Sequence, residues 1–452
     1  MNHMRISLST LIAFVFSLAM VTAPVPAADF TVVDTGQSGC YDNAGYAIDC
    51  PDEGDPYFGQ DAQHHGNQPA YADNGDGTIS DLNTGLMWVK TPGFVNKSTW
   101  DQATSGAVGC TAGGYADWRL PTIKELYSLI DFDGWTGMDA ASSSPYIDTE
   151  YFDFAYGQTS SGERFIDAQY CSSTEYVSTT MAGDHTVFGV NFADGRIKGY
   201  GTTKPNGSKK YFYVRYVRGN PDYGLNDFVD NGDGAITDRS TGLIWSRDDS
   251  GTGVVWEDAL AWVEARNLDN HLGYSDWRLP NAKELQSIVD YSRSPDTTGS
   301  AAIDPVFSST SIVNAGGQTD YPFYWCSTTH LEGNTSRKGD SATYVSFGRA
   351  LGWMESPPGS GIYRLLDVHG AGSQRSDPKT GNPDDFPYGH GPQGDVVRIY
   401  NHVRLVRDDP CSDALVISGT GESGGDRSSA SAECDDIGNL PTVIRRPSGR
   451  RS

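Results

Sequence analysis

The chain has 452 residues and a formal net charge of −25 at pH 7, from 33 Lys and Arg against 58 Asp and Glu. That balance argues against sequence-independent nucleic-acid binding, which needs a positive footprint, and against simple attraction to anionic lipid. With 53 glycines, 11% aromatic residues and a mean hydropathy of −0.47, the composition describes compact, loop-rich domains. Its length allows two or three of them at roughly 100–200 residues each.

Arg5 precedes an apolar run from Ile6 to Val21, and small residues follow at Val25-Pro26-Ala27-Ala28. A charged start, an apolar middle and a small-residue exit predict a secretory signal peptide over residues 1–27 or 1–28. The mature protein is then secreted, periplasmic or at the cell surface. No other stretch approaches the ~20 apolar residues of a spanning helix. Seven cysteines are few for a disulfide scaffold of this length. Cys40 and Cys50 flank a short polar turn, and Cys411 and Cys434 bracket a Gly/Ser-rich acidic segment, so both pairs are disulfide candidates. Cys110, Cys171 and Cys326 remain, and at least one is unpaired or pairs between chains.

Residues 28–70 form a Gly- and Asp-rich lead-in. The sequence then repeats itself. Asp73-Asn74-Gly75-Asp76-Gly77 returns as Asp230-Asn231-Gly232-Asp233-Gly234, and Thr84-Gly85-Leu86-Met87-Trp88 as Thr241-Gly242-Leu243-Ile244-Trp245. Asp117-Trp118-Arg119-Leu120-Pro121-Thr122-Ile123-Lys124-Glu125-Leu126 matches Asp276-Trp277-Arg278-Leu279-Pro280-Asn281-Ala282-Lys283-Glu284-Leu285. Two successive domains follow, over 71–219 and 222–408. In the last motif, Thr122 with Glu125 and Asn281 with Glu284 are capping boxes that start a helix. Its buried face is Leu126, Leu129 and Ile130 in one copy and Leu285, Ile288 and Val289 in the other. Trp256, Leu260, Val263 and Leu268 predict a further helix, which glycines cut short after Trp100 and Ala103 in the first copy. Strands are expected around 170–174, 186–192, 325–329 and 343–347. Each copy closes on an alternating strand with outward-facing arginines, Arg215 and Arg218 or Arg404 and Arg407. Two helices and several short strands per copy make an α+β pattern. Each capped helix is expected on its own small, mostly antiparallel sheet. Beyond Asp408 the tail, 409–452, is Gly/Ser/Asp-rich and expected to be flexible.

The Asp-Asn-Gly-Asp-Gly segments suit tight hairpins, because Asn-Gly and Asp-Gly supply positive φ. As EF-hand loops they fail: Ala72 and Val229 fall at the first ligand position, and Asn83 and Ser240 at the twelfth. Calcium held in another arrangement stays open, with Asp73, Asp76, Asp230 and Asp233 as candidate ligands. The second copy alone inserts a long polar loop from about 352 to 396. Asp367, His369, Gln374, Arg375 and Asp377 lie close together there among glycines, and they are the candidate ligand-binding residues. Arg375 offers a fork to a carboxylate or sulfate, and the aspartates can accept from sugar hydroxyls. The alternative is a self-satisfied loop, with Arg375 paired to Asp377 and Asp367 holding its own turn. Trp88, Trp118, Trp245 and Trp277 recur at matching positions and read as core. No His-Glu-x-x-His, phosphate loop or zinc-spaced cysteine cluster is present.

These motifs, in this order and twice over, resemble the family named after the C-terminal domain of the Legionella collagen-like adhesin. The Asp-Val-His-Gly-Ala-Gly-Ser-Gln-Arg-Ser-Asp-Pro-Lys block resembles a segment of its long-loop members. The Arg-Leu-Pro-x-x-x-Glu element is similar to one in the C-type-lectin-like superfold, which includes formylglycine-generating enzymes. The resemblance implies two tandem lectin-like α+β domains and a secreted or surface ligand-binding role, glycosaminoglycan being a ligand of the family's namesake. The expected function is an exported, non-catalytic ligand-binding or adhesion protein whose partner is an extracellular glycan or protein. The alternatives are a structural envelope protein or an enzyme of the formylglycine-generating type. The last would need a cysteine pair in one pocket, whereas Cys171 and Cys326 are single and belong to different copies.

Overall fold

A computed structural model of the chain describes residues 30–93, 97–204, 206–357 and 359–410. The expected signal peptide, the Cys411–Cys434 pair and the tail from 411 lie outside these residues. Residues 30–70 contain a small hairpin, β1 (Cys40–Tyr41) with β2 (Ala47–Ile48), beside a Cys40–Cys50 disulfide. The first repeat runs β3 (Tyr71–Asp73), β4 (Thr78–Asp81), β5 (Met87–Val89), α1 (Trp100–Gly106), α2 (Ile123–Ser128), β6 (Gln169–Thr180), β7 (Asp184–Asn191), β8 (Arg196–Gly201) and β9 (Val217–Arg218). The second opens on β10 (Phe228–Asp230), β11 (Ala235–Asp238), β12 (Leu243–Ser246), α3 (Trp256–Leu268) and α4 (Ala282–Ser287). A short hairpin follows, β13 (Ile312–Val313) with β14 (Thr319–Asp320). The repeat ends with β15 (Phe323–His330), β16 (Ser341–Ser346), β17 (Leu351–Glu355), β18 (Tyr363–Asp367), β19 (Gln374–Pro378) and β20 (Val406–Asp408).

The expected α+β class is corrected by these elements. Strands take 30% of the residues and helices 14%, so the architecture is mainly β, and the expected helix pair per lectin-like domain does not form a layer of its own. Four short helices are present among the described residues, and only α3, with 13 residues, exceeds two turns. A capping box fixes where a helix begins and says nothing of its length. Both boxes form as expected, Thr122 accepting from the Glu125 amide and Asn281 from the Glu284 amide. Yet α2 and α4 stop after six residues each. The side chains of Ser128 and Ser287 bond back to the Glu125 and Glu284 carbonyls there, a local alternative to a continued helix.

Each repeat opens with a four-stranded antiparallel sheet, β3-β4-β5-β9 or β10-β11-β12-β20. The Asp-Asn-Gly-Asp-Gly segments are its first turns, with Gly75 and Gly77 at φ +74° and +86° and Gly232 and Gly234 at +84° and +99°. Trp88, Trp118, Trp245 and Trp277 are buried as expected. In α3, Trp256, Leu260 and Val263 are buried, whereas Leu268 at its end is 83% exposed.

The repeats do not keep separate sheets. Apart from the β13-β14 and β17-β18 hairpins, their remaining strands form one six-stranded antiparallel sheet in the order β15-β16-β19-β8-β7-β6, with three strands from each repeat. The junction is β8 against β19, at Gln374 opposite Ile197. On one face of this sheet Leu126, Leu129, Ile130, Leu285, Ile288 and Val289 share a single core with Phe188, Val190, Ile197, Tyr324 and Val345. Burying one such side chain stabilises by roughly 1.5–3 kcal/mol. The continuous core therefore makes the tandem one cooperative body.

Residues 30–70 are part of that body. The Gln37 amide exchanges two hydrogen bonds with the backbone of Thr329, at 2.7 and 2.8 Å. Buried Asp61 accepts from Thr35 at 2.7 Å and from Thr328 at 2.5 Å. The terminal arginines are also not the outward-facing pairs expected. Arg215 is fully buried and donates to the carbonyls of Val89, Lys90 and Asp153; Arg404 does the same to Ser246, Arg247 and Ser308. Arg218 and Arg407 pair with Asp117 and Asp276 of the duplicated motif, both at 2.7 Å.

Candidate ligand-binding surface on the second repeat

The first repeat passes from β7 to β8 through a tight turn at residues 192–195, where Gly195 takes φ +63°. The second uses residues 347–373 for the matching step from β16 to β19. That insertion is not structureless: β17 and β18 pair in register from Leu351 opposite Asp367 to Glu355 opposite Tyr363. The block that follows, from Gln374 to Pro378, is a central strand of the shared sheet.

This topology decides where the five sequence-predicted residues lie. Asp367, at the end of β18, accepts from the Gly370 amide at 2.8 Å and the Tyr176 hydroxyl at 2.9 Å. Burial pushes its carboxyl up to about 7 against those two hydrogen bonds. Gln374 is buried and donates to the Arg375 carbonyl. Asp377 is buried and accepts from the amides of Arg398 and Ile399 and from the Asn401 side chain, at 3.0–3.1 Å. His369 and Arg375 converge on one carboxylate that sequence reasoning missed, Asp395: His369 Nε2 lies 2.8 Å from Oδ1 and Arg375 pairs with Oδ2. Arg375 thus takes Asp395 rather than Asp377. Burial, with Arg375 next in effect, holds the His369 imidazole well below its usual pKa, so it stays neutral.

Asp395 anchors a loop whose outer side is aromatic. His390 and Asp395 exchange backbone hydrogen bonds at 2.8 Å. Gly389 and Gly394 close the turn at φ +69° and +59°, and a Cβ at either would fall within 2.2 Å of a carbonyl oxygen. Only glycine fits that approach. The turn sets the ring of Tyr388 face to face with Tyr363 of β18, at 4.0 Å between centroids and 19° between planes. Trp353 of β17 stands edge-on to Tyr388 at 6.4 Å. Tyr363 is 37% exposed and Tyr388 52%. Their signal in the sequence was aromatic residues placed near glycines in a segment lacking an apolar period.

The candidate calcium ligands belong to two separate hairpins. Asp73 accepts from the Gly75 amide and pairs with Lys90, while Asp76 accepts from the amide and hydroxyl of Thr78. Asp230 accepts from the Gly232 amide and pairs with Arg247, and Asp233 accepts from the Ala235 amide. Elsewhere His64, Glu284 and Asp408 place ligand atoms within 4.8 Å of one another. Arg278 already occupies that place as the cation, bonded to both Glu284 and Asp408. Cys171 and Cys326 lie on β6 and β15, the two outer strands of the shared sheet. Burial raises both thiols, Cys171 to about 12, which disfavours the reactive thiolate.

A cavity of about 320 Å³ lies between the repeats beside Lys124, Tyr223 and Tyr291, and another of about 300 Å³ between residues 53–64 and α3. Neither is lined by the five residues. Among the described residues no helix is long and apolar enough to cross a membrane.

Comparison with known proteins agrees with the duplicated motifs. The Lcl C-terminal domain matches over residues 77–218 and again over 234–364. That family is adhesin-associated and is not a known enzyme family. No curated protein and no solved structure matches the chain. With more than half of its length matched in two tandem copies, the chain belongs to the Lcl C-terminal domain family.

Proposed function

We propose that this is an exported, non-catalytic binding protein that recognises an extracellular glycan through the aromatic surface of the second repeat. The observation that carries the reading is the stacked, half-exposed pair Tyr363 and Tyr388, built on an insertion the first repeat lacks. Aromatic rings of this size are normally spent on a core; displayed together they offer rigid amphipathic area to a ligand at little entropic cost. A sugar ring presents a C–H face that suits such a platform and hydroxyls that suit its polar rim. Exposed Asp384, Asp385 and His390, close to Tyr388 along the chain, offer such polar groups. In this reading His369, Arg375, Asp367, Gln374 and Asp377 support the surface from beneath and do not touch the ligand. An adhesin-associated family fits a surface role of this kind.

A glycan-array screen of the full chain, followed by titration of the best glycan, tests the reading. Tyr363→Ala with Tyr388→Ala should weaken binding by about tenfold or more, as for loss of a central aromatic anchor, with an unchanged melting temperature. Unchanged affinity in the double variant would move the site elsewhere. An array without hits, beside a protein that captures a polypeptide through the same two tyrosines, would replace the glycan by a protein ligand.

A further inference from the structure

The junction between the repeats brings together charges that each repeat alone would keep apart. With Gln374 opposite Ile197, the antiparallel register sets Arg375 directly opposite Arg196. Like charges opposed in this way destabilise a sheet. Ile197 faces the shared core, so Arg196, Lys198 and Arg375 all lie on the other face. There they sit between the apolar clusters containing Tyr200 and Tyr344. The three side chains are only 11–12% exposed.

Three carboxylates face them: Arg196 pairs with Glu332 at 2.7 Å and more loosely with Asp194 at 3.8 Å, Lys198 with Asp194 at 3.0 Å, and Arg375 with Asp395. Those pairs leave donors over. Nε and Nη1 of Arg375 and Nε of Arg196 are buried without a hydrogen-bond partner, as is Nδ1 of His369. Lys210, over the Tyr200 ring at 4.5 Å, adds a further cation on this side. Lys198 is brought down to about 7, first by burial, and Arg375 and Arg196 add to that fall against Asp194. On this face Asp194 Oδ1 is the one buried carboxylate oxygen left without a partner among the described residues. Buried N–H groups without acceptors are costly, and here they crowd one spot.

We infer that the β8–β19 junction is a binding site for a compact oxyanion, a phosphate or a carboxylate, held between the guanidinium groups of Arg196 and Arg375 with Lys198 beside them. A guanidinium fork matches both groups in plane and spacing, and an anion there would supply the missing acceptors and screen the opposed cations. Glu332, 26% exposed, and Asp395, 15% exposed, are the most exposed members of the cluster. Side chains so nearly covered suit a small anion and not a chain of residues or sugars. Both repeats contribute, so the site exists only in the tandem.

Inorganic phosphate, acetate and, as control, chloride should be titrated into the full chain at matched ionic strength. Phosphate should raise the melting temperature saturably by about 3 °C or more, with acetate acting at the same site and chloride having no effect beyond ionic strength. Arg196→Gln and Lys198→Gln should each weaken the apparent phosphate affinity at least tenfold. An equal response to chloride, a response unchanged in both variants, or no saturable response would overturn the assignment in favour of ordered water. Should the variants fail to fold, the phosphorus resonance of inorganic phosphate decides with the native chain. Saturable broadening that acetate reverses supports the site, and a line left sharp refutes it.

Discussion

The side-chain amine of Lys124 donates to the carbonyl of Ser287 at 2.6 Å, and Lys283 returns the contact to Ser128 at 2.9 Å. Ser128 and Ser287 end α2 and α4, so the lysine of each copy of the motif meets the last carbonyls, and the negative dipole end, of the other copy's helix. Lys124 also holds Gly224 and Asn226, and Lys283 holds the Asp34 carbonyl. Burial lowers both amines to about 8. The duplicated motif thus contributes a clamp between repeats as well as a helix start.

Removing one clamp leaves buried carbonyls unsatisfied, so Lys124→Ala or Lys283→Ala should each cost about 1–3 kcal/mol in denaturant unfolding. Because the two meet across one shared core, the double variant should depart from additivity by more than about 0.5 kcal/mol. Additive losses would show that the clamps act independently.

A chain restricted to residues 71–219 loses the partner of β8, exposing an unpaired edge in the middle of what was a sheet. Such an edge recruits another chain. Light scattering of that fragment should report self-association, whereas a stable monomer would mean that the shared sheet is dispensable.

Arg375→Ala strips Asp395 of its cation in a site where both side chains are at most 15% exposed. Breaking a buried pair from one side costs about 3–5 kcal/mol, so the melting temperature should fall clearly, and Tyr388 should lose its fixed position with it. The exposed pair Lys209–Asp101 is the control: Lys209→Ala should change stability by under about 1 kcal/mol. Similar effects of the two substitutions would contradict the anchoring role of Asp395.

Burial holds the Asp61 carboxyl up at about 7, against the Thr328 and Thr35 hydroxyls that pull it down. The native chain therefore keeps a proton that the unfolded carboxyl, in its ordinary range, gives up. The stabilisation from this proton is complete below the unfolded pKa and is lost as pH rises through about 7. Asp367 acts in the same direction. Melting temperatures should accordingly fall from about pH 5 to about pH 7.5, and Asp61→Asn should flatten part of that fall. Superimposable profiles for the two proteins would exclude Asp61 as a source.

The sequence by itself determined what depends on neighbours along the chain. Capping boxes at Thr122 and Asn281, positive-φ turns at Gly75 and Gly232, the short Cys40–Cys50 loop and the duplicated tryptophans all formed as expected. Each rests on contacts within about ten residues or on a repeated apolar position. Tertiary structure decided the rest. Gln374 to Pro378 is polar throughout and reads as loop, so the sequence says neither that it forms a strand nor that its neighbour is β8, some 180 positions earlier. The partners that bury Arg215 and Arg404 are carbonyls of distant segments, which carry no side-chain signature. The partner of Arg375 was Asp395, twenty residues on and across a turn, rather than the nearer Asp377. A charge is placed by the geometry that solvates it, and in this protein two halves of the chain build that geometry together.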